Sequence, residues 1–128
     1  MDTISVPIYI ESRYRVNRKR IKARVVDILK RKGIKSDCEV SVAIVGDRKM
    51  RALNKKYRNI DKTTNVLSFP QKEGSSVPNP TNKIFLGDVV ISYPVVISEA
   101  SYYNKMVDDW TCELVEHGLQ HLLGIHHK

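Results

Sequence analysis

No apolar run in this chain approaches the roughly 20 residues that a membrane helix requires, so no contact with a bilayer interior is expected. Cysteine is scarce. Cys38 and Cys112 stand far apart and lack the paired spacing of a thiolate metal site. Two buried, reduced thiols in a cytoplasmic protein are the expected outcome. The opening Met1-Asp2-Thr3-Ile4-Ser5-Val6-Pro7 has neither a basic nor an apolar stretch, so no secretory signal is expected. Acids are sparse early on: between Arg13 and Lys35 there are eleven basic residues and one acid, Asp27. Histidine is rarer still, with four in 128 residues. All four fall between His117 and His127.

What is present fits one domain spanning residues 1–128, with 41% hydrophobic residues to build a single core. The net charge of +8 is unevenly spread. A second basic stretch runs from Asp47 to Lys62, whereas Ile84–Lys128 has six acids and two basic residues. A cationic face on a small domain suits a polyanion, most simply nucleic acid; a solvated helix face is the plainer alternative.

Apolar spacing outlines the elements. Thr3–Ile10 alternates as a strand. Arg13–Lys32 carries Tyr14, Ile21, Val25, Ile28 and Leu29 at helical spacing, and Gly33 stops it. Cys38–Val45 is a strand. Asp47 is expected to cap a helix running to Tyr57, with Met50, Leu53 and Asn54 facing inward. Val66–Phe69 is a short strand ended by Pro70, and Gln71–Lys83 is a loop rich in glycine, serine and proline. Ile84–Ser92 is the strongest strand, broken by Gly87-Asp88. Helices follow over Pro94–Lys105 and Val107–Leu123, the last ending at Gly124. Strands alternating with helices imply an α/β or α+β sheet with helices packed on it.

The last helix carries the most specific signal. His117 and His121, four apart, lie about 40° apart around a helix. Trp110 and Leu114 fall on the same side, so both imidazoles are expected to point toward the protein body. Gly124 then turns the chain toward His126 and His127. Such a set is able to close three imidazoles around one divalent cation and leave a position for water. Zinc proteases place a glutamate general base directly after the first histidine; here that position is Gly118, which argues against peptidase chemistry. Glu113, one turn earlier, is either an acceptor that orients an imidazole or an exposed surface acid.

The string from His117 to His127 resembles the signature of the YbeY family, H-G-x-x-H-L-x-G-Y-D-H. Leu53–Pro70 resembles its L-N-x-x-Y-R-x-x-D-x-x-T-D/N-V-L-S-F-P, and Leu86–Ser92 its L-G-D-I-x-I-S. The matches run in order from about Val40 onward. The resemblance implies a single α+β domain with a mixed, mostly parallel sheet of about four strands, and a metal site on the C-terminal helix and the turn after it. It also implies a single-strand-specific, metal-dependent endoribonuclease acting in ribosomal RNA maturation at the 3′ end of the small-subunit RNA, and in ribosome quality control. Its expected cofactor is one Zn²⁺, and its expected partners are single-stranded or precursor ribosomal RNA and the small ribosomal subunit. The protein itself is expected to be a cytoplasmic monomer. The family's metal ligands fall on His117, His121 and His127, and its functional arginine on Arg58. Where the family has Tyr-Asp before the third ligand, this chain has Ile125-His126, which makes His126 a substitute candidate.

Residue chemistry adds further candidates. Arg58 suits bidentate contact with a phosphate. Thr64, Asn65 and Ser68 are expected to hydrogen-bond sugar or phosphate, or else to cap a turn. Asp88 is a bulge residue or an acceptor near the metal. Tyr57 and Phe69 are stacking surfaces for unpaired bases or simply core. The basic first helix is expected to attract phosphate without regard to sequence. The competing functions are an RNA- or ribosome-binding assembly factor with a mainly structural metal, and another metallohydrolase.

Overall fold

A computed structural model of the chain describes residues 4–34, 37–71 and 83–124. The elements are β1 (Ile4–Ser5), β2 (Ile8–Ile10), α1 (Arg18–Arg31), β3 (Cys38–Val45), α2 (Asp47–Arg58), β4 (Val66–Pro70), β5 (Ile84–Ser92), α3 (Tyr93–Tyr102) and α4 (Val107–Gly124). The expected loop over Gln71–Lys83 lies almost wholly outside the described residues.

The sheet is mixed and mostly parallel. β3 is flanked by β5 on one side and by β1 and β2 on the other, all parallel, and β4 closes the far edge antiparallel to β5. β1 and β2 are two pieces of one edge strand. Ile4 stands opposite Cys38 and Ile8 opposite Val42, an unchanged register across the break. Pro7 has no N–H to give, although its carbonyl still accepts from Val42 N at 3.0 Å. The expected strand over Thr3–Ile10 is therefore interrupted, and the sheet remains four strands wide in effect.

Alternation along β3 separates two faces. Cys38, Val40, Val42 and Ile44 are fully buried beneath α1 and α4 in the main core. Val45, with Met50 of α2, Leu67 and Val90, forms a smaller cluster on the other face.

Three helix boundaries differ from expectation for identifiable reasons. α1 starts at Arg18 rather than Arg13 because the Asn17 side chain accepts from Arg20 N at 3.1 Å and caps it. The preceding segment is held by other means: Tyr14 stacks on Tyr93 at 4.7 Å, and the Tyr93 hydroxyl donates to the Arg15 carbonyl. At its C-terminus, Ile34 N reaches the Leu29 carbonyl and Gly33 N that of Lys30, with Gly33 at φ 77°. This is a Schellman motif that only a residue tolerant of positive φ closes easily. α2 is capped by the Gly46 backbone, and Asp47 is its first helical residue rather than its cap. α3 is capped by Ser92 and ends at Tyr102, where Asn104 at φ 57° turns the chain instead of continuing to Lys105. Cys38 and Cys112 are both buried and free, and burial raises both thiol pKa values.

Candidate active site cleft

The site begins with a close approach. α4 lies on β4 and β5 with Gly118 at the contact. A β-carbon placed there would come 2.7 Å from Val89 Cγ1 and 3.1 Å from Val66 Cγ2. Glycine lets the helix backbone rest on the sheet, and this sets His117 and His121 beside the free edge of β4.

Between that edge and the helix is a cleft of about 460 Å³. Arg58, Thr64, Asn65, Ser68, His117 and His121 all line it. Three separate stretches, the end of α2, Thr64–Ser68 and the second half of α4, thus converge on one cavity. The two imidazole centroids are 4.9 Å apart with planes inclined at 58°.

Both histidines are exposed, contrary to the expectation that they point into the body of the protein. The buried arc of α4 runs from Leu114 through Gly118 and Leu122 round to Leu119. His117 and His121 sit just past one margin of it, and Trp110 on the same stripe is only half-buried. Sharing a side with Leu114 placed them at the border of the core, not within it.

The end of α2 supplies Arg58, which is exposed and makes no ion pair with a described residue. Asn59, in the left-handed region at φ 59°, turns the chain out of α2 and into the segment that carries Thr64 and Asn65. That segment is fastened at four points. Asn54 is buried and donates through Nδ2 to the Lys62 carbonyl at 2.9 Å. Asp47 Oδ1 accepts from Thr63 Oγ1 at 3.0 Å and from the buried Ser92 Oγ at 2.7 Å. Arg51 Nε donates to Asp61 at 2.7 Å, which holds that carboxyl below its ordinary pKa. Asn65 Nδ2 donates to both oxygens of Glu99, at 3.1 and 3.4 Å, and Trp110 Nε1 donates to the same carboxylate at 3.1 Å. Cleft walls held in this way lose little order when a substrate arrives.

Several candidates lie elsewhere. Asp88 projects from the sheet face opposite α4, where Ser41 Oγ donates to it, so it is not an acceptor beside the histidines. The irregularity expected at Asp88 is real but sits one step earlier. Opposite Glu39 and Val40 the register skips Leu86, with Gly87 at φ 141°. Tyr57 and Phe69 meet edge to face at 5.1 Å on the α2 side of the sheet and do not line the cleft. Glu113 pairs with Lys105 at 2.8 Å and is exposed, so it is a surface acid and not an imidazole orienter. Two arginines of the basic α1 are engaged on the flank of α4 away from the cleft, Arg20 with Asp109 at 2.6 Å and Arg24 with Glu116 at 3.0 Å. His126 and His127 lie outside the described residues. Among the described residues no third histidine, cysteine or carboxylate joins His117 and His121 to form a metal-binding group.

The family model described as endoribonuclease YbeY matches residues 8–128. The chain belongs to the endoribonuclease YbeY family. The chain is 38% identical to an endoribonuclease YbeY of Acinetobacter baumannii over 113 residues, covering 88% of this chain and 72% of that protein. With that of Francisella tularensis subsp. novicida it shares 30% identity over 128 residues, covering 100% of this chain and 79% of the relative. The solution structure of TM1509 from Thermotoga maritima superposes with a TM-score of 0.62 at 26% identity, covering 96% of this chain and 75% of that one. Seen against YbeY membership, the three motif segments occupy distinct places. The described part of the histidine string, His117–Gly124, forms the end of α4, the Leu53–Pro70 segment makes the opposing wall, and the Leu86–Ser92 strand is the floor on which both rest. Asp47, Ser92 and Glu99, which hold that wall, lacked any local signal: each acts on a partner at least 11 residues away.

Proposed function

We propose that this protein is an endoribonuclease that hydrolyses phosphodiester bonds of single-stranded RNA in ribosomal RNA processing, using one divalent metal. The observation that carries the reading is the convergence of Arg58 with His117 and His121 on a single solvent-open cleft. Two imidazoles from adjacent turns fit a borderline cation such as zinc, and their exposure favours a site that keeps a position for water over a closed structural one. His117, His121 and His127 would hold the ion, which when bound supplies charge that polarises a phosphoryl oxygen and acidifies water. The chain's own groups do the rest. Arg58 grips the scissile phosphate through its planar guanidinium and offsets charge that builds on the phosphoryl oxygens. The Thr64 and Ser68 hydroxyls hydrogen-bond the neighbouring sugar-phosphate backbone. A cleft between a helix and a strand edge admits one strand with its bases splayed, in keeping with a preference for unpaired RNA. Maturation of the small-subunit RNA at its 3′ end, ribosome quality control, association with the small subunit and action in the cytoplasm belong to the same proposal.

Cleavage of an end-labelled single-stranded RNA by zinc-loaded protein tests the reading, with His121→Ala and Arg58→Ala alongside. The native protein is expected to cut, and both variants are expected to lose cutting while keeping their far-ultraviolet circular dichroism. Equal cutting by all three would trace the signal to a contaminant and end the proposal.

A further inference from the structure

Asn65 is turned in one direction by its neighbours. A carboxylate only accepts hydrogen bonds, so the Asn65 atom facing both Glu99 oxygens is its NH₂ group. The amide carbonyl is therefore held pointing away from Glu99, and no described residue donates to it. Asn65 lines the cleft, and with its NH₂ group engaged by Glu99 its carbonyl is the amide group left to accept from a ligand. Glu99 is fixed in its turn, because Trp110 Nε1 donates to the same Oε1 at 3.1 Å. Three elements, the lead into β4, α3 and α4, are joined through this one carboxylate.

Resting on the endoribonuclease reading above, we propose that Glu99 is a positioning residue that sets the Asn65 carbonyl as an acceptor for a ribose 2′-hydroxyl, so that the cleft selects RNA over DNA. A phosphate has nothing to donate and would be repelled by this oxygen. DNA lacks the donor at that position, leaving the half-buried carbonyl unpaired. Exocyclic amines and ring N–H groups of the bases are the other donors a strand offers, and single 2′-deoxy substitution, which leaves both unchanged, separates them from the hydroxyl.

The test uses oligouridine, which has no exocyclic amine, carrying single 2′-deoxy substitutions walked along the strand. Equilibrium binding is read beside cleavage, because binding reports the hydroxyl contact separately from any effect of the substitution on the chemical step. For native protein, one deoxy position away from the scissile phosphate should weaken binding roughly tenfold. Asn65→Ala should bind the ribose and deoxy strands alike. Glu99→Gln frees the Asn65 amide to rotate and should lose most of the discrimination while still folding. Trp110→Phe removes the indole donor that steadies Glu99 and should lose part of the discrimination. Native protein that binds ribose and deoxy strands equally, or a Glu99→Gln variant that discriminates as well as native, overturns the proposal. Discrimination in binding without any cleavage would instead defeat the endoribonuclease reading and leave this one standing.

Discussion

The two flanks of α4 carry opposite electrostatic arrangements. On one, α1 brings Arg20 and Arg24 against Asp109 and Glu116, and cations meet anions within the chain. On the other, Arg58 faces His117 and His121 across an open cleft with no carboxylate among the lining residues. The contrast teaches that the density of positive charge along a sequence does not locate an anion site. α1 is among the most basic stretches of the chain, yet two of its arginines are engaged in folding it onto α4. The cation left facing solvent beside the histidines comes from the end of α2, where the helix stops.

That contrast is open to direct attack. The largest expected effect is on turnover: Arg58→Ala should lower kcat about 100-fold or more, the scale of removing one donor that stabilises transition-state charge. Arg20→Ala should leave kcat near native, with rates measured on the same labelled RNA. Equal losses from the two would erase the distinction between the flanks. Next comes Gly118→Ala. The added methyl meets Val89 and Val66 and should cost about 1–3 kcal/mol, read as a lower midpoint in urea. RNA binding should fall with it, since the histidines ride on that contact.

A smaller effect concerns acid. Asp61 is held below its ordinary pKa by Arg51, so its contribution to stability is present above the unfolded value of about 3.9. It fades as pH drops through the lower folded value. Asp61→Asn should lower stability slightly across the neutral region and flatten the acid limb of a stability-versus-pH curve, converging on the native protein well below about pH 4. The smallest expected signal is chemical. Cys38 and Cys112 are buried with raised pKa values, so neither should react with a thiol reagent at neutral pH until the protein is unfolded.

Much of this was written in local pattern. The bounds of β3 and β5 were legible to the residue, β3 from its alternation and both from their β-branched side chains, whereas β5 runs through Gly87-Asp88 with a skip at Leu86 instead of breaking there. The lower end of α1 was legible from Gly33. Arg58, Thr64, Asn65, Ser68, His117 and His121 were all nominated in advance, and the fold does bring them into one cleft. What escaped depended on partners distant in sequence. Asp47 looked like a helix cap, but Thr63 and Ser92 compete for its carboxylate from across the fold. The histidine orientation was misjudged because one shared neighbour, Leu114, does not define where a buried arc ends. Glu99 gave no sign at all: its role exists only once α3 has brought it between Asn65 and Trp110.

The broken edge strand has an effect on the molecule's company. An uninterrupted outer strand invites a second chain to add on and propagate a fibre. Here Pro7 breaks the outer strand into two short pieces, and Arg18 Nη1 already takes the outward-facing Ile8 carbonyl at 2.8 Å. Pro70 ends the other side with no N–H to give. The sheet therefore has a proline at each border, a form of quarantine that leaves concentrated protein poorly suited to seeding amyloid.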